Sequence, residues 1–278
     1  MNHGTKLRHK LSLLGPERVR SNTESTIMKF LTTVLLVITP VAGLVACGGG
    51  DTADRLDLAD PMVRFVHASP LAPNLTLYHG AVVQANVIEK PYKFASNYFN
   101  ADMGLNIWTA KTLVADLTLG AVSIDAARGN KYTIVVLPGS NPDSSVYLIT
   151  DPYGKALTSD SARLRIMNAS FNASNIDLYM TPLGTDVTAA TVAPTIAGTA
   201  YKTSGPKSGS DSFDISGGTY KVTIATAGTK TILFTGQMTF GQNTDILLLS
   251  VPDSLLPGSI KTLVKLEGST GASEVPAI

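Results

Sequence analysis

A seven-residue motif occurs twice in this chain, and the repetition limits what it can fold into more than any other feature. Val63-Arg64-Phe65-Val66-His67-Ala68-Ser69 returns 101 residues later as Leu164-Arg165-Ile166-Met167-Asn168-Ala169-Ser170. At the same offset Ala72 falls on Ala173, Asn74 on Asn175, and Leu75-Thr76-Leu77-Tyr78 on Ile176-Asp177-Leu178-Tyr179. Matches of this length at one spacing imply a single unit used twice. Further on the offset widens: residues 130–136 best match residues 243–249, an offset of 113, so the second copy is expected to hold about a dozen extra residues in the Thr- and Ala-rich stretch 185–199.

Each copy reads as all-β. Short runs of Val, Ile, Leu, Thr and Tyr are separated by turn signals such as His79-Gly80, Gly129-Asn130, Pro138-Gly139, Gly217-Gly218 and Ala227-Gly228. Around Gly217-Gly218, the segments Phe213–Ile215 and Tyr220–Ile224 are expected to pair as a hairpin. About seven short strands per copy favour an immunoglobulin-like sandwich, with small barrels as the alternative. The expected organisation is therefore two tandem immunoglobulin-like β-sandwich domains, residues 62–155 and 161–267, followed by a C-terminal tail, 268–278.

Ahead of the repeats lies an address. Leu44-Val45-Ala46-Cys47 closes an apolar run and is followed by three glycines, and it resembles a bacterial lipobox. That resemblance implies that the chain is cut before Cys47, that the thiol receives a diacylglycerol, and that the new amino terminus is acylated. Residues 28–46 then form the lipoprotein signal peptide, and 1–27 a misassigned extension or a long basic leader. A permanent membrane span is the competing reading, but about 17 apolar residues interrupted by Pro40 and Gly43 fall short of the roughly 20 that a spanning helix needs. Residues 47–61, with Asp51, Asp54, Asp57 and Asp60, read as a flexible tether. Gly48 rather than aspartate after the cysteine resembles the pattern of outer-membrane lipoproteins.

Charge and cysteine usage narrow the rest. Removing the leader leaves 16 basic and 19 acidic residues, a net charge of −3 without a basic cluster, which argues against a nucleic-acid partner. Cys47 is the only cysteine, so the folded part must be stable through its core rather than through disulfides. The expected partners are membrane lipid, through acylated Cys47, and an unidentified envelope or extracellular ligand.

The opening motif at 63–70, with Ala72-Pro73 and the strand ending in Tyr78, resembles the start of the family called domain of unknown function 4397. The likeness extends over roughly residues 62–266. Members of that family are bacterial exported proteins, often with tandem copies behind a signal peptide, and the family has no defined activity. Two departures stand out: the family's usual Asp before the Tyr is Thr76 in the first copy and Asp177 in the second, while His67 and Pro70 become Asn168 and Phe171.

His67 and Ser69, with His79 nearby, invite a nucleophile-and-base reading. Such a site needs an orienting third group and an oxyanion pocket, and the sequence marks neither. The second copy places Asn168 where the first has His67, and asparagine cannot shuttle a proton. What the two side chains share is a donor and an acceptor on a short stem. The expected role of His67 and Asn168, with Ser69 and Ser170, is a structural hydrogen bond across the turn that follows. Arg64 and Arg165 are expected on the strand face opposite Phe65 and Ile166, in surface pairs with a neighbour such as Asp177, worth about 0 to 1 kcal/mol. Tyr78 and Tyr179 complete the repeated motif.

No cofactor or metal site is expected. Only His67 and His79 remain after the leader, and Asp211 and Asp214 with Ser210 and Ser212 lack the spacing of a calcium loop. Phe99 and Trp108 are expected to fill the first core, the alternative being an exposed aromatic platform made with Tyr92, Phe94 and Tyr98. The functional expectation is a non-enzymatic binding or adhesion module on the cell envelope. A ligand-free spacer and an envelope-polymer hydrolase are the alternatives.

Overall fold

Short alternating runs punctuated by glycine and proline produce eighteen strands and no helix among the described residues, 59–138, 144–153 and 160–278 of a computed structural model. Cys47 and the lipobox residues Leu44, Val45 and Ala46 lie outside the described residues. In chain order the first eight strands are β1 (Met62–His67), β2 (Thr76–His79), β3 (Val82–Val83), β4 (Phe99–Asn100), β5 (Gly104–Lys111), β6 (Thr118–Ala126), β7 (Asn130–Pro138) and β8 (Ser144–Pro152). The next five are β9 (Ser161–Asn168), β10 (Ile176–Thr181), β11 (Ile196–Thr199), β12 (Thr203–Gly205) and β13 (Phe213–Ser216). The last five are β14 (Gly218–Thr226), β15 (Ile232–Phe240), β16 (Asp245–Pro252), β17 (Ile260–Leu266) and β18 (Ser273–Glu274).

Four sheets result. The first half of the chain builds an outer sheet, β3-β2-β5-β6, and a middle sheet, β4-β1-β7-β8. The second half builds an outer sheet, β11-β10-β14-β15, and a middle sheet, β12-β9-β16-β17-β18, with β13 also on β9. In both middle sheets the motif strand pairs in parallel with a strand late in the same half, β1 with β7 and β9 with β16. Parallel neighbours need a long crossover, and the intervening chain supplies it by building the outer sheet.

Alternation sorts side chains into three cores. Val63 and Phe65 of β1, with Tyr132 and Ile134 of β7, meet Leu75, Leu77, Trp108 and Ile124 from the first outer sheet. Leu164, Ile166, Ile246 and Leu248 meet Leu178, Val222, Ile224 and Phe234 in the second half. The third core lies between the two middle sheets, where Val66, Val135, Leu137 and Ile149 pack with Met167, Leu247, Leu249 and Leu263. The order of layers is therefore outer, middle, middle, outer. Both middle sheets are buried on two faces, which is why β7 and β16 read as nearly continuous apolar runs.

Four sequence expectations change. The parallel registers pair Val63 with Tyr132 and Leu164 with Ile246, which equates Tyr132 with Ile246 at an offset of 114 rather than 113. One residue matters here, because it turns every side chain to the other face. The Gly217-Gly218 hairpin does not form: β13 pairs with β9, whereas β14 pairs with β10 and β15, so the chain changes sheets at this point. A Cβ on Gly217 would stand 2.6 Å from the backbone nitrogen of Gln242, so this glycine serves a close backbone approach.

Third, the segment expected as a tail after Glu267 is built into the fold. β18 pairs with β17, Val275 enters the second core, and Ile278 N–H donates to the Thr235 carbonyl. Fourth, Arg64 and Arg165 are not on the surface. They face the seam between the middle sheets, and Asp177 instead accepts hydrogen bonds from the backbone N–H groups of Gly198 and Gly228.

Candidate functional site

The repeated motif ends each time in a side chain that spans the following turn. At the end of β1, His67 Nε2 lies 3.0 Å from the Pro73 carbonyl oxygen, and Ser69 N–H points at Nδ1 from 3.4 Å. A carbonyl only accepts and an amide N–H only donates, so the ring is the neutral tautomer with its hydrogen on Nε2. Asn168 makes the same two bonds with an amide: Nδ2 donates to Ser174 O at 3.0 Å, and Oδ1 accepts from Ser170 N–H at 3.1 Å. A further bond from Nδ2 to Thr199 O, 3.2 Å, ties in β11. Ser69 and Ser170 are fully buried, and Ser170 Oγ donates to Asn172 Oδ1, whose amide nitrogen donates to the carbonyls of Ser254 and Leu256. Both ring nitrogens of His67 are thus committed to the backbone.

Burial holds the His67 imidazole below its usual pKa, against the opposing pull of the Pro73 carbonyl. Because the folded state resists protonation, His67 contributes stability that is complete above about pH 6.5 and lost as pH falls through the lowered folded value. His67→Asn is expected to cost about 1 kcal/mol or less and to remove that acid sensitivity, since Asn168 shows the amide making both bonds. His67→Ala removes the partner of the buried Ser69 N–H and of the Pro73 carbonyl, and should cost about 1–3 kcal/mol. Urea unfolding at pH 7.5 and 5.5 reads both effects.

The other motif positions diverge with their surroundings. Tyr78 is half-buried on the outer face, with the Lys111 ammonium 4.2 Å from its ring centroid. Tyr179 is buried with Val187 and Ala225, under the segment where the second copy is longer. Phe99 and Trp108 pack in the first core with centroids 5.7 Å apart, and His79 stacks on Trp108 at 4.4 Å. Tyr98 turns instead toward the seam, under the Arg64 guanidinium at 4.6 Å. Of the acidic loop considered for calcium, Asp211 pairs with Arg163 at 3.4 Å and Ser212 donates to Asp151 Oδ2 at 2.8 Å.

At the seam, the expected motif residues Arg64 and Arg165 meet partners that the sequence did not signal. One end of the seam is apolar. The other collects Arg64 from β1, Lys131 from β7, Arg163 and Arg165 from β9, and Lys265 from β17, all buried. Against them stand Asp151 of β8 and Asp245 of β16. Asp151 Oδ1 lies 3.3 Å from Arg163 Nη2 and 3.4 Å from Arg165 Nη2, and Asp245 lies 3.7 Å from the Lys131 ammonium. Lys131 also reaches Glu267 at 3.5 Å and sits over the Tyr153 ring at 3.3 Å. Arg165 holds the β12–β13 connection as well, donating to the carbonyls of Pro206, Lys207 and Ser210.

Positive charge therefore exceeds negative charge in a buried place. Burial, followed by the repulsion of Arg64, lowers the Lys265 ammonium to about 8, opposed by Glu267. Lys265 donates to Asn97 Oδ1 at 3.3 Å and to the Ser269 carbonyl. Burial and the charge of Arg163 likewise lower Arg165, opposed by Asp151. Such a cluster can hold negative charge, and it ties the two middle sheets together.

The sheets and their cores define an all-β protein of packed β-sheet layers. Within it, residues 61–179 match the family described as Domain of unknown function (DUF4397). The matched stretch takes in the first half and the opening strands β9 and β10 of the second. No curated protein matches the sequence.

Proposed function

We propose that this chain is a lipid-anchored, non-enzymatic protein of the bacterial cell envelope, at the outer membrane, displaying two tandem copies of a DUF4397-type unit to an envelope or extracellular ligand. The observation that carries the binding part is the outer face of β5. Leu105 and Ile107 alternate with inward Asn106 and Trp108 and stand 75% and 52% exposed, beside half-buried Tyr78 and Val83 of β2 and β3. In the second half the outward Tyr179 lies under Val187 and Val192 of the chain itself. An apolar sheet face left open in one copy and covered in the other suits contact with a partner. The commitment of both His67 nitrogens to backbone groups supports the non-enzymatic part.

The anchor and the face are tested separately. Cys47→Ala is expected to abolish palmitate labelling and to release the protein from membranes; unchanged membrane retention would refute the anchor. A photocrosslinking residue at Ile107 on intact cells should capture a partner that the same probe at Thr219, exposed on the second outer sheet, does not. Equal capture at both positions, or none at either, would remove the binding assignment.

A further inference from the structure

Where the charged end of the seam closes, Arg64, Tyr98, Asp151, Arg163, Arg165 and Asp245 enclose a cavity of about 20 Å³. Three guanidinium groups share it with two carboxylates. Neither carboxylate is free to neutralise the excess: Asp151 is divided between Arg163 and Arg165, and Asp245 is drawn to Lys131. The other two acids of the network, Asp211 and Glu267, are 67% and 36% exposed at their side chains, where water screens them.

Arg64 has no carboxylate within 4 Å among the described residues; it donates to Thr133 Oγ1 and lies over the Tyr98 ring. Arg163 Nη1 and Arg165 Nε are buried N–H donors with no hydrogen-bond partner among the described residues. Guanidinium does not lose its proton in a protein, so these groups cannot shed the charge that burial penalises. An unpaired buried cation is costly, and an anion in the cavity would remove the cost.

We propose that this cavity is a binding site for one monatomic anion of the halide class, chloride under ordinary conditions. Size sets the class: room for a water begins at about 10–15 Å³, and a space of about 20 Å³ suits one ion of about that size. Charge favours an anion over neutral water, because three guanidinium groups line the chamber against two carboxylates. The bound ion bridges guanidinium groups from β1 and β9 and so joins the two middle sheets.

Urea unfolding of the purified protein in sodium chloride, with sodium gluconate holding the ionic strength, tests the site. One ion bound only by the folded state raises the folded-to-unfolded ratio about tenfold for each tenfold rise in chloride above the dissociation constant. Arg64→Gln should flatten that dependence, and the wild-type titration stands by itself if the variant does not fold. Crystals grown in bromide should show an anomalous peak in the chamber. A water in the chamber of bromide-grown crystals, or a wild-type ratio that does not respond to chloride, would overturn the proposal.

Discussion

Asp151→Ala is expected to lower the unfolding free energy by about 3–5 kcal/mol, the cost of leaving buried cations without their counter-charge. Asp151 is the single carboxylate within 4 Å of Arg165 among the described residues, and it is the more buried of the two that reach Arg163. Its Oδ2 also accepts from Ser212, so the loss extends into the β12–β13 connection. Asp211→Ala serves as the contrast. It too removes an Arg163 partner, 3.4 Å away, but its side chain is 67% exposed and the expected cost is within about 1 kcal/mol. Urea unfolding of both variants measures the difference; similar costs would mean that the seam network contributes no more than a surface pair.

Why the sequence reading placed Arg64 and Arg165 on the surface is instructive about strands buried on two faces. Alternation correctly put Phe65 in the first core, Ile166 in the second, and the arginines on the other faces of their strands. It assumed that the other side was water. The counter-signal was present in the same strands: Val66 shares the face of Arg64, Met167 shares that of Arg165, and both belong to the core between the middle sheets. In β7 and β16 the apolar residues run without alternation, which marks burial on both faces. A strand with an arginine at its start and apolar residues beyond it thus enters a seam that is charged at one end and greasy at the other.

The repeat made the turn chemistry legible. Histidine and asparagine at one repeat position share a donor and an acceptor, and that pair of functions is what the two turns use. Register was not legible, because Ile246, Leu247, Leu248 and Leu249 are interchangeable in composition and only pairing with β9 decides which of them faces which core. The Gly217-Gly218 pair misled for a physical reason. Glycine marks either a turn or a close backbone approach, and here the approach of residues 241–242 required it. No short-range pattern tells these apart.

Leu249→Ala, a substitution in the second half, is expected to lower the unfolding midpoint reported by Trp108 in the first. Leu249 is fully buried in the core between the middle sheets, against residues of both halves, and truncating such a leucine costs about 2–5 kcal/mol. Trp108 is the only tryptophan and belongs to the first core, so its fluorescence reports the first half alone. If the seam couples the halves, fluorescence and far-UV circular dichroism fall together to the same lower urea concentration. Val222→Ala sharpens the test, because Val222 lies in the second core and outside the seam. It too should move the Trp108 transition, through cooperativity rather than contact. A Trp108 midpoint that stays in place in both variants, while circular dichroism splits into two steps, would show each half to be stable without the other. The buried cations would then have to be tolerated by each middle sheet separately, and the seam would be a docking contact and not a core.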